Sequence, residues 1–362
     1  MKHVSEYRDP DLAAKLLEKI RERAAGIREH VSIMEVCGTH THAIGNFGIR
    51  QALPENVELV SGPGCPVCVT SIPDVDTALY LAQKEDVVFA SFGDMLKVPG
   101  SRGNSLENLR AGGADVRIVS SPLDCIQLAK DNPDREVVFM GIGFETTAPT
   151  VAATVQSAAR QEVKNFSVYP VHKLMPPVLN VLLQDPELEI DALLCPGHVS
   201  VVTGSSAYSE VVESGRAAVI GGFEPLDVLE SVYMILGQIE TQNQMLEIQY
   251  KRGVKEQGNL QAKNIMEQVF MPCSADWRGM GNIPDSGLSF KSEYRDFDAL
   301  SKFSVPEMSS EEPRGCLCGE ILKGKAKPPD CPLYKVKCTP ASPFGPCMVS
   351  GEGTCSAYYK YY

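Results

Sequence analysis

The chain has 362 residues, with 34 Lys and Arg against 46 Asp and Glu, for a net charge of −12. An apolar fraction of 43% and a charged fraction of 22% exclude a wholly disordered chain, and the length predicts two or three domains. The acidic balance argues against broad contact with nucleic-acid phosphates. No run approaches the roughly 18 apolar residues of a membrane span, and the first thirty residues lack the apolar segment of a signal peptide. A cytoplasmic protein without membrane or nucleic-acid partners is expected.

Residues 10–29 carry Leu16, Leu17, Ile20 and Ala24 at helical spacing. Short β-rich runs follow at 31–36, 57–61, 87–91 and 116–120, and a second group at 136–143, 166–171, 191–196 and 217–222. They are nearly continuously apolar, as suits strands buried on both faces. Helical stretches such as DVDTALYLAQK and DCIQLAKDN lie between them, which predicts parallel sheets with crossover helices. Four strands and then four more suggest two α/β units, over residues 31–135 and 136–235. The pattern turns helical from about 225 to 270, and residues 276–315 read as an extended connector. A third domain is expected from residues 1–30 together with 236–362. The fold class is therefore α/β, with two parallel-sheet domains and a C-terminal cysteine-rich domain.

Polar chemistry collects where these strands end, the place where open α/β sheets bind ligands. Cys37-Gly-Thr-His40-Thr-His42 follows the first strand. A thiolate and two imidazoles so close together can bind Fe(II) or Zn(II), and a Cys opening a helix has a depressed pKa. The second strand runs into Gly-Pro-Gly-Cys65-Pro-Val-Cys68, whose thiols are close enough for a disulfide or a shared metal. GFETTAPT places Glu145 at a strand-to-helix turn as a candidate proton handler, beside Thr residues that can simply cap the helix. His172 and His198 also end strands. Each is as readily a satisfied polar group as a ligand.

Six of the twelve cysteines, Cys316, Cys318, Cys331, Cys338, Cys347 and Cys355, fall within the last 50 residues. Such density in a chain without secretory features marks a metal or redox module. Four thiolates suit Zn(II) or a [4Fe–4S] cluster, and spacing alone does not choose between them. Two cysteines remain for a redox pair. Cys125, Cys195 and Cys273 are isolated, and no G-x-x-x-x-G-K-[ST] phosphate loop occurs.

The segments EVCGTHTHA, SGPGCPVC, GFETTAPT, PGHVSVVTG, CLCGE and TPASPFGPCMVSGEGTC-AYYKYY run in order from residue 35 to the C-terminus. Together they closely resemble the HypD family of hydrogenase maturation proteins. Gly351 is one small departure, where the family pattern suggests a small polar residue. The resemblance implies two α/β domains and a third holding a [4Fe–4S] cluster. It implies a scaffold on which Fe(II) acquires two cyanides and one carbon monoxide, with a small HypC-like chaperone and a HypE-like cyanide donor as partners. Carried over residue by residue, it makes Cys37 the thiolate holding the nascent iron, and Cys65 and Cys68 a thiol pair in the cleft. Cys316, Cys331, Cys338 and Cys355 become cluster ligands, with Cys318 and Cys347 as the redox pair beside them. His40 and His42 are candidates to orient or protonate nearby groups. The competing readings are a stand-alone cluster-dependent thiol–disulfide reductase and a zinc-stabilised interaction protein.

Overall fold

A computed structural model describes residues 5–308 and 310–362; residues 1–4 of the expected third domain lie outside it. The apolar runs form strands β1 (Val31–Glu35), β2 (Val57–Ser61), β3 (Val87–Ser91), β4 (Val116–Ile118), β5 (Glu136–Gly141), β6 (Phe166–Pro170), β7 (Ala192–Pro196) and β8 (Ala217–Gly221). Every residue of β1, β3, β7 and β8 is buried, as expected of strands covered on both faces. At the edge of its sheet, β4 exposes Arg117 and Ile118.

The grouping of strands into sheets differs from the expected four and four. One sheet has the order β4-β3-β5-β6; the other has the order β2-β1-β7-β8-β9, where β9 is Leu246–Ile248. The chain therefore begins one sheet, builds the whole of the second, and returns to finish the first. The two sheets cut across the expected division at residues 135 and 136. Apolar strands advertise burial but not partners, so pairing of β7 with β1 was invisible locally. All pairings within these two sheets are parallel.

Residues 225–270 hold the helix Pro225–Thr241, then β9, then the helix Leu260–Val269. The expected connector begins with an antiparallel hairpin, β10 (Phe270–Trp277) and β11 (Gly281–Phe290). This hairpin joins two of the three hydrophobic clusters. Phe270 and Leu288 pack with the face of the second sheet that carries Val88, Phe139 and Phe166, whereas Trp277 and Ile283 pack with the cluster holding Cys65, Val69 and Phe144. Among the described residues no helix is long and apolar enough to cross a membrane.

Strand order fixes where a site can lie. In the first sheet the chain moves outward one way from β1 to β2 and the other way from β7 to β8. The crevice at such a reversal lies beyond the carboxyl ends of β1 and β7, where Cys37 and His198 follow. The second sheet reverses between β3 and β5, placing Asp94 and Glu145 at its crevice. The C-terminal segment reaches both crevices. Thr39 Oγ1 donates to Glu352 Oε1 at 2.8 Å, and Ser350 Oγ donates to Asp94 Oδ2 at 2.8 Å. The helix Thr354–Tyr361 lies on the helix Gly38–Asn46, with the Tyr361 ring occupying the space a Cβ would need at Gly45.

The cluster around Trp277 holds Met34 and Leu193 of the first sheet and Phe89 and Val138 of the second, and the hairpin ties it to the cluster around Phe166, so the two sheets should unfold together. Phe166→Ala, in the cluster that lacks the single tryptophan, should cost about 3–5 kcal/mol. It should lower the urea midpoint read from Trp277 fluorescence; an unchanged Trp277 transition would mean that the sheets unfold independently.

Candidate functional site

Cys37 lies two residues past β1 in extended backbone and opens the helix Gly38–Asn46. Its sulfur faces the backbone N–H groups of Thr39 and His40, which favour a thiolate. Burial dominates, however, and pushes the thiol up to about 12, with the nearby Glu352 carboxylate acting in the same direction. Glu35 is fully buried just before it. Its Oε1 accepts from Thr41 Oγ1 at 2.7 Å, and burial raises this carboxyl to about 7.

Cys37 rests directly on the second thiol loop. Gly38 N donates to Gly64 O at 2.8 Å, and a Cβ at Gly64 would overlap the Cys37 backbone. This is the close approach that only glycine permits. The next residue, Cys65, is bonded to Cys68 as a disulfide, the first of the two arrangements open to this pair. Cys68 Sγ lies 4.0 Å from the carbonyl oxygen of Pro346, the residue before Cys347.

Five of the six C-terminal thiols, all but Cys331, act on one another. Cys316 and Cys347 are both pushed up, chiefly by hydrogen bonding to Cys318, while Cys355 is pulled down by the bonds it receives from Cys318 and Cys347. A Cβ at Gly345 would meet Cys316 Sγ at 2.8 Å and Cys318 Sγ closer still. Cys338 Sγ accepts from Phe344 N at 3.3 Å, and Cys331 Sγ lies 3.8 Å from Gly315 O. Among the described residues, no group of three or more His, Cys, Asp or Glu is set to hold a single metal ion.

The donor set nevertheless fits a thiolate-bound cluster. Soft sulfur ligands are abundant, a backbone N–H points at one of the sulfurs, and the fully buried guanidinium of Arg278 lies close enough to act on Cys316. Arg278 Nη2 has no hydrogen-bond partner. An orphaned cationic donor beside thiols suits an anionic centre.

The histidines divide. His40 is fully buried; its Nε2 donates to Gly222 O at 2.9 Å, fixing the tautomer, and Nδ1 is left without a partner. Burial lowers His40 to about 4. The Phe223 ring sits between His40 at 4.6 Å and His198 at 3.8 Å. His42 instead packs edge-on to Tyr361. His172 is buried against Phe270 with neither ring nitrogen bonded, and burial lowers it to about 3. Glu145 also stands apart from the thiols. Its Oε1 accepts from Met175 N at 2.9 Å, Oε2 is unpartnered, and burial raises it to about 7.

Glu352, Glu35, Phe223 and Arg278 were not assigned roles from the sequence. Glu35 had a usable signal, a carboxylate ending an otherwise apolar strand. Glu352 had a weaker one, an acid between two glycines inside the cysteine module. Arg278 had none, because its neighbours come from distant parts of the chain.

Comparison with known proteins gives the family of the chain. The sequence model of the HypD family, described as "Hydrogenase formation hypA family", matches residues 11–362. The hydrogenase maturation factor HypD of Escherichia coli K12 is 46% identical over 368 aligned positions, covering 100% of this chain and 98% of the relative. The chain belongs to the HypD family of hydrogenase maturation factors. The Rhodobacter capsulatus HypD is 44% identical over 100% of this chain and 98% of its own. A putative hydrogenase expression/formation protein of Methanocaldococcus jannaschii is 43% identical over 98% of each chain. Like them, this chain is a HypD-family protein from end to end.

Glu145 provides a pH test. Its folded-state pKa is raised, so the folded protein binds the extra proton and loses stability as pH climbs from about 4.5 to 7. Glu145→Gln keeps the acceptor for Met175 N but does not titrate. Relative to the parent it should gain up to about 3 kcal/mol between pH 4.5 and 8, measured by urea unfolding with Trp277 fluorescence. An equal difference at both pH values would contradict the burial assigned to this carboxyl.

Proposed function

We propose that this protein is the cytoplasmic scaffold on which the Fe(CN)₂CO group of a [NiFe] hydrogenase is assembled. Cys37 holds the iron, a small HypC-like chaperone shares it, and a HypE-like donor supplies cyanide. The observation that carries this reading is the stacking of three thiol groups. Cys37 sits on the Gly64–Cys65 loop, and Cys68 sits on the residue before Cys347.

The chemistry follows from that order. A free Cys37 thiol is protonated at neutral pH, and binding the iron cargo displaces its proton. The N–H groups of Thr39 and His40 then stabilise the thiolate, a soft ligand suited to low-spin Fe(II) with cyanide and carbon monoxide. Cyanide delivered as a thiocyanate, R–S–C≡N, leaves as CN⁻ together with RS⁻ when two electrons enter. The reduced Cys65/Cys68 pair supplies those two electrons as it closes to the disulfide, so charge and atoms balance. Exchange with the Cys318/Cys347 dithiol reopens that disulfide. The residues proposed to hold a [4Fe–4S] cluster are Cys316, Cys331, Cys338 and Cys355, and the cluster, when bound, supplies electrons one at a time. Neutral His40 and the adjacent Phe223–His198 stack lie beyond the same strand ends as Cys37 and orient groups that reach it.

Infrared spectroscopy of protein purified without oxygen, with its partner, tests the reading. Stretching bands of metal-bound cyanide and carbon monoxide are expected, and they should vanish in Cys37→Ala while the cluster's visible absorption persists. Bands that survive the substitution would remove Cys37 from its role. Absence of bands from a partner-bound parent protein with an intact cluster would favour a thiol–disulfide reductase instead. In Cys318→Ser or Cys347→Ser, the Cys65–Cys68 disulfide should stay oxidised under reductant that opens it in the parent, as read by thiol labelling and mass spectrometry. Equal labelling would break the proposed relay.

A further inference from the structure

Arg278 follows Trp277 at the tip of the β10–β11 hairpin, far in sequence from either group of thiols, yet it touches the surroundings of both. Its backbone N–H donates to Val69 O at 2.9 Å, and its Nε donates to Thr70 O at 2.9 Å, which anchors it to the segment just beyond Cys68. Its Nη1 lies 3.5 Å from Glu312 Oε2, four residues before Cys316. The next residue, Gly279, is pressed against Gly319, which follows Cys318, so tightly that a Cβ at Gly279 would overlap the Gly319 backbone.

The side chain is 2% exposed, and Nη2 has no partner. A buried guanidinium is costly to hold with an incomplete set of partners. Its one carboxylate partner, Glu312, is 57% exposed and at a distance that gives only a weak ion pair. Anchoring the carbonyls of Val69 and Thr70, just beyond Cys68, accounts for the N–H groups used there. It does not account for a full positive charge beside the Cys316-x-Cys318 turn.

We propose that Arg278 is a positioning residue for electron transfer: a fixed positive charge, tethered between the two thiol groups, that stabilises the reduced state of the centre held by the C-terminal cysteines. This rests on the cluster assignment proposed above. Reduction there, by an external one-electron donor, adds one electron and one negative charge and alters no bond, so a fixed neighbouring cation favours the reduced form directly. The same tether holds the Cys65–Cys68 segment at a constant distance from that centre.

The test is an EPR-monitored redox titration of the anaerobically purified holoprotein. Arg278→Met should lower the reduced-to-oxidised ratio at a fixed potential at least tenfold, equivalent to 59 mV for a one-electron couple. Arg278→Lys, which keeps the charge but not the fork of donors, should stay near the parent value. Glu312→Gln removes the carboxylate that, among the described residues, lies within ion-pair distance of the guanidinium, and it lies on the surface, so the variant folds even where the Arg278 variants do not. It should move the ratio the opposite way. Titrations unchanged in Arg278→Met and Glu312→Gln would overturn the inference. So would equal shifts in Arg278→Met and Arg278→Lys with none in Glu312→Gln, which would reveal a role in geometry alone. A parent protein with no cluster signal would instead refute the cluster assignment itself.

Discussion

The arrangement depends on one close backbone contact. Gly64 lies against the backbone of Cys37 with no room for a side chain, and its carbonyl accepts the N–H of Gly38. That contact welds the loop after β1 to the loop after β2. A parallel pair of strands delivers both loops to the same edge of the sheet, and a glycine there lets two sulfur-bearing turns stack instead of splaying apart. Everything proposed for the chemistry needs this proximity, because a thiol that holds iron and a thiol pair that supplies electrons must act on the same small molecule.

The C-terminal module completes the site by reaching both sheets. Its residues meet the Cys37 loop through Glu352 and Thr39, and the second sheet through Ser350 and Asp94. Five of its cysteines are buried in the cluster that holds Trp277, but the module has few regular elements of its own. Its conformation leans on short turns, on contacts among sulfurs, and on the rigid α/β layers beneath it. This lets so irregular a segment hold a defined conformation. The hairpin β10–β11 plays a comparable part from the other side, tying two of the three hydrophobic clusters together and presenting Arg278 to both groups of thiols.

Much of this was legible in the sequence, for identifiable reasons. Strands buried on both faces leave continuous apolar runs, so β1 to β8 lie where those runs predict, within a residue or two at their ends. Chemistry at the carboxyl ends of parallel strands is a property of the architecture, so Cys37, Cys65 and Cys68 could be expected to share a location. Sheet order was not legible, because Ala192–Pro196 carries nothing that names β1 as its neighbour. The hairpin was missed because its strands hold Pro272, Gly281, Pro284 and Gly287, residues that locally signal a connector. Glu145 and His172 looked like parts of the same cleft, being strand-end residues, but they turn inward to separate buried positions. Strand-end position selects a layer of the molecule, not a partner.

The central claim is that Cys37 holds iron in a place distinct from, and adjacent to, the C-terminal thiols. Mössbauer spectroscopy of ⁵⁷Fe-enriched protein, isolated without oxygen together with its partner, addresses it most directly. The account predicts two classes of iron: a low-spin ferrous component that disappears in Cys37→Ala, and a cluster component that the substitution leaves unchanged. A spectrum in which Cys37→Ala removes neither component, or removes both together, would contradict it.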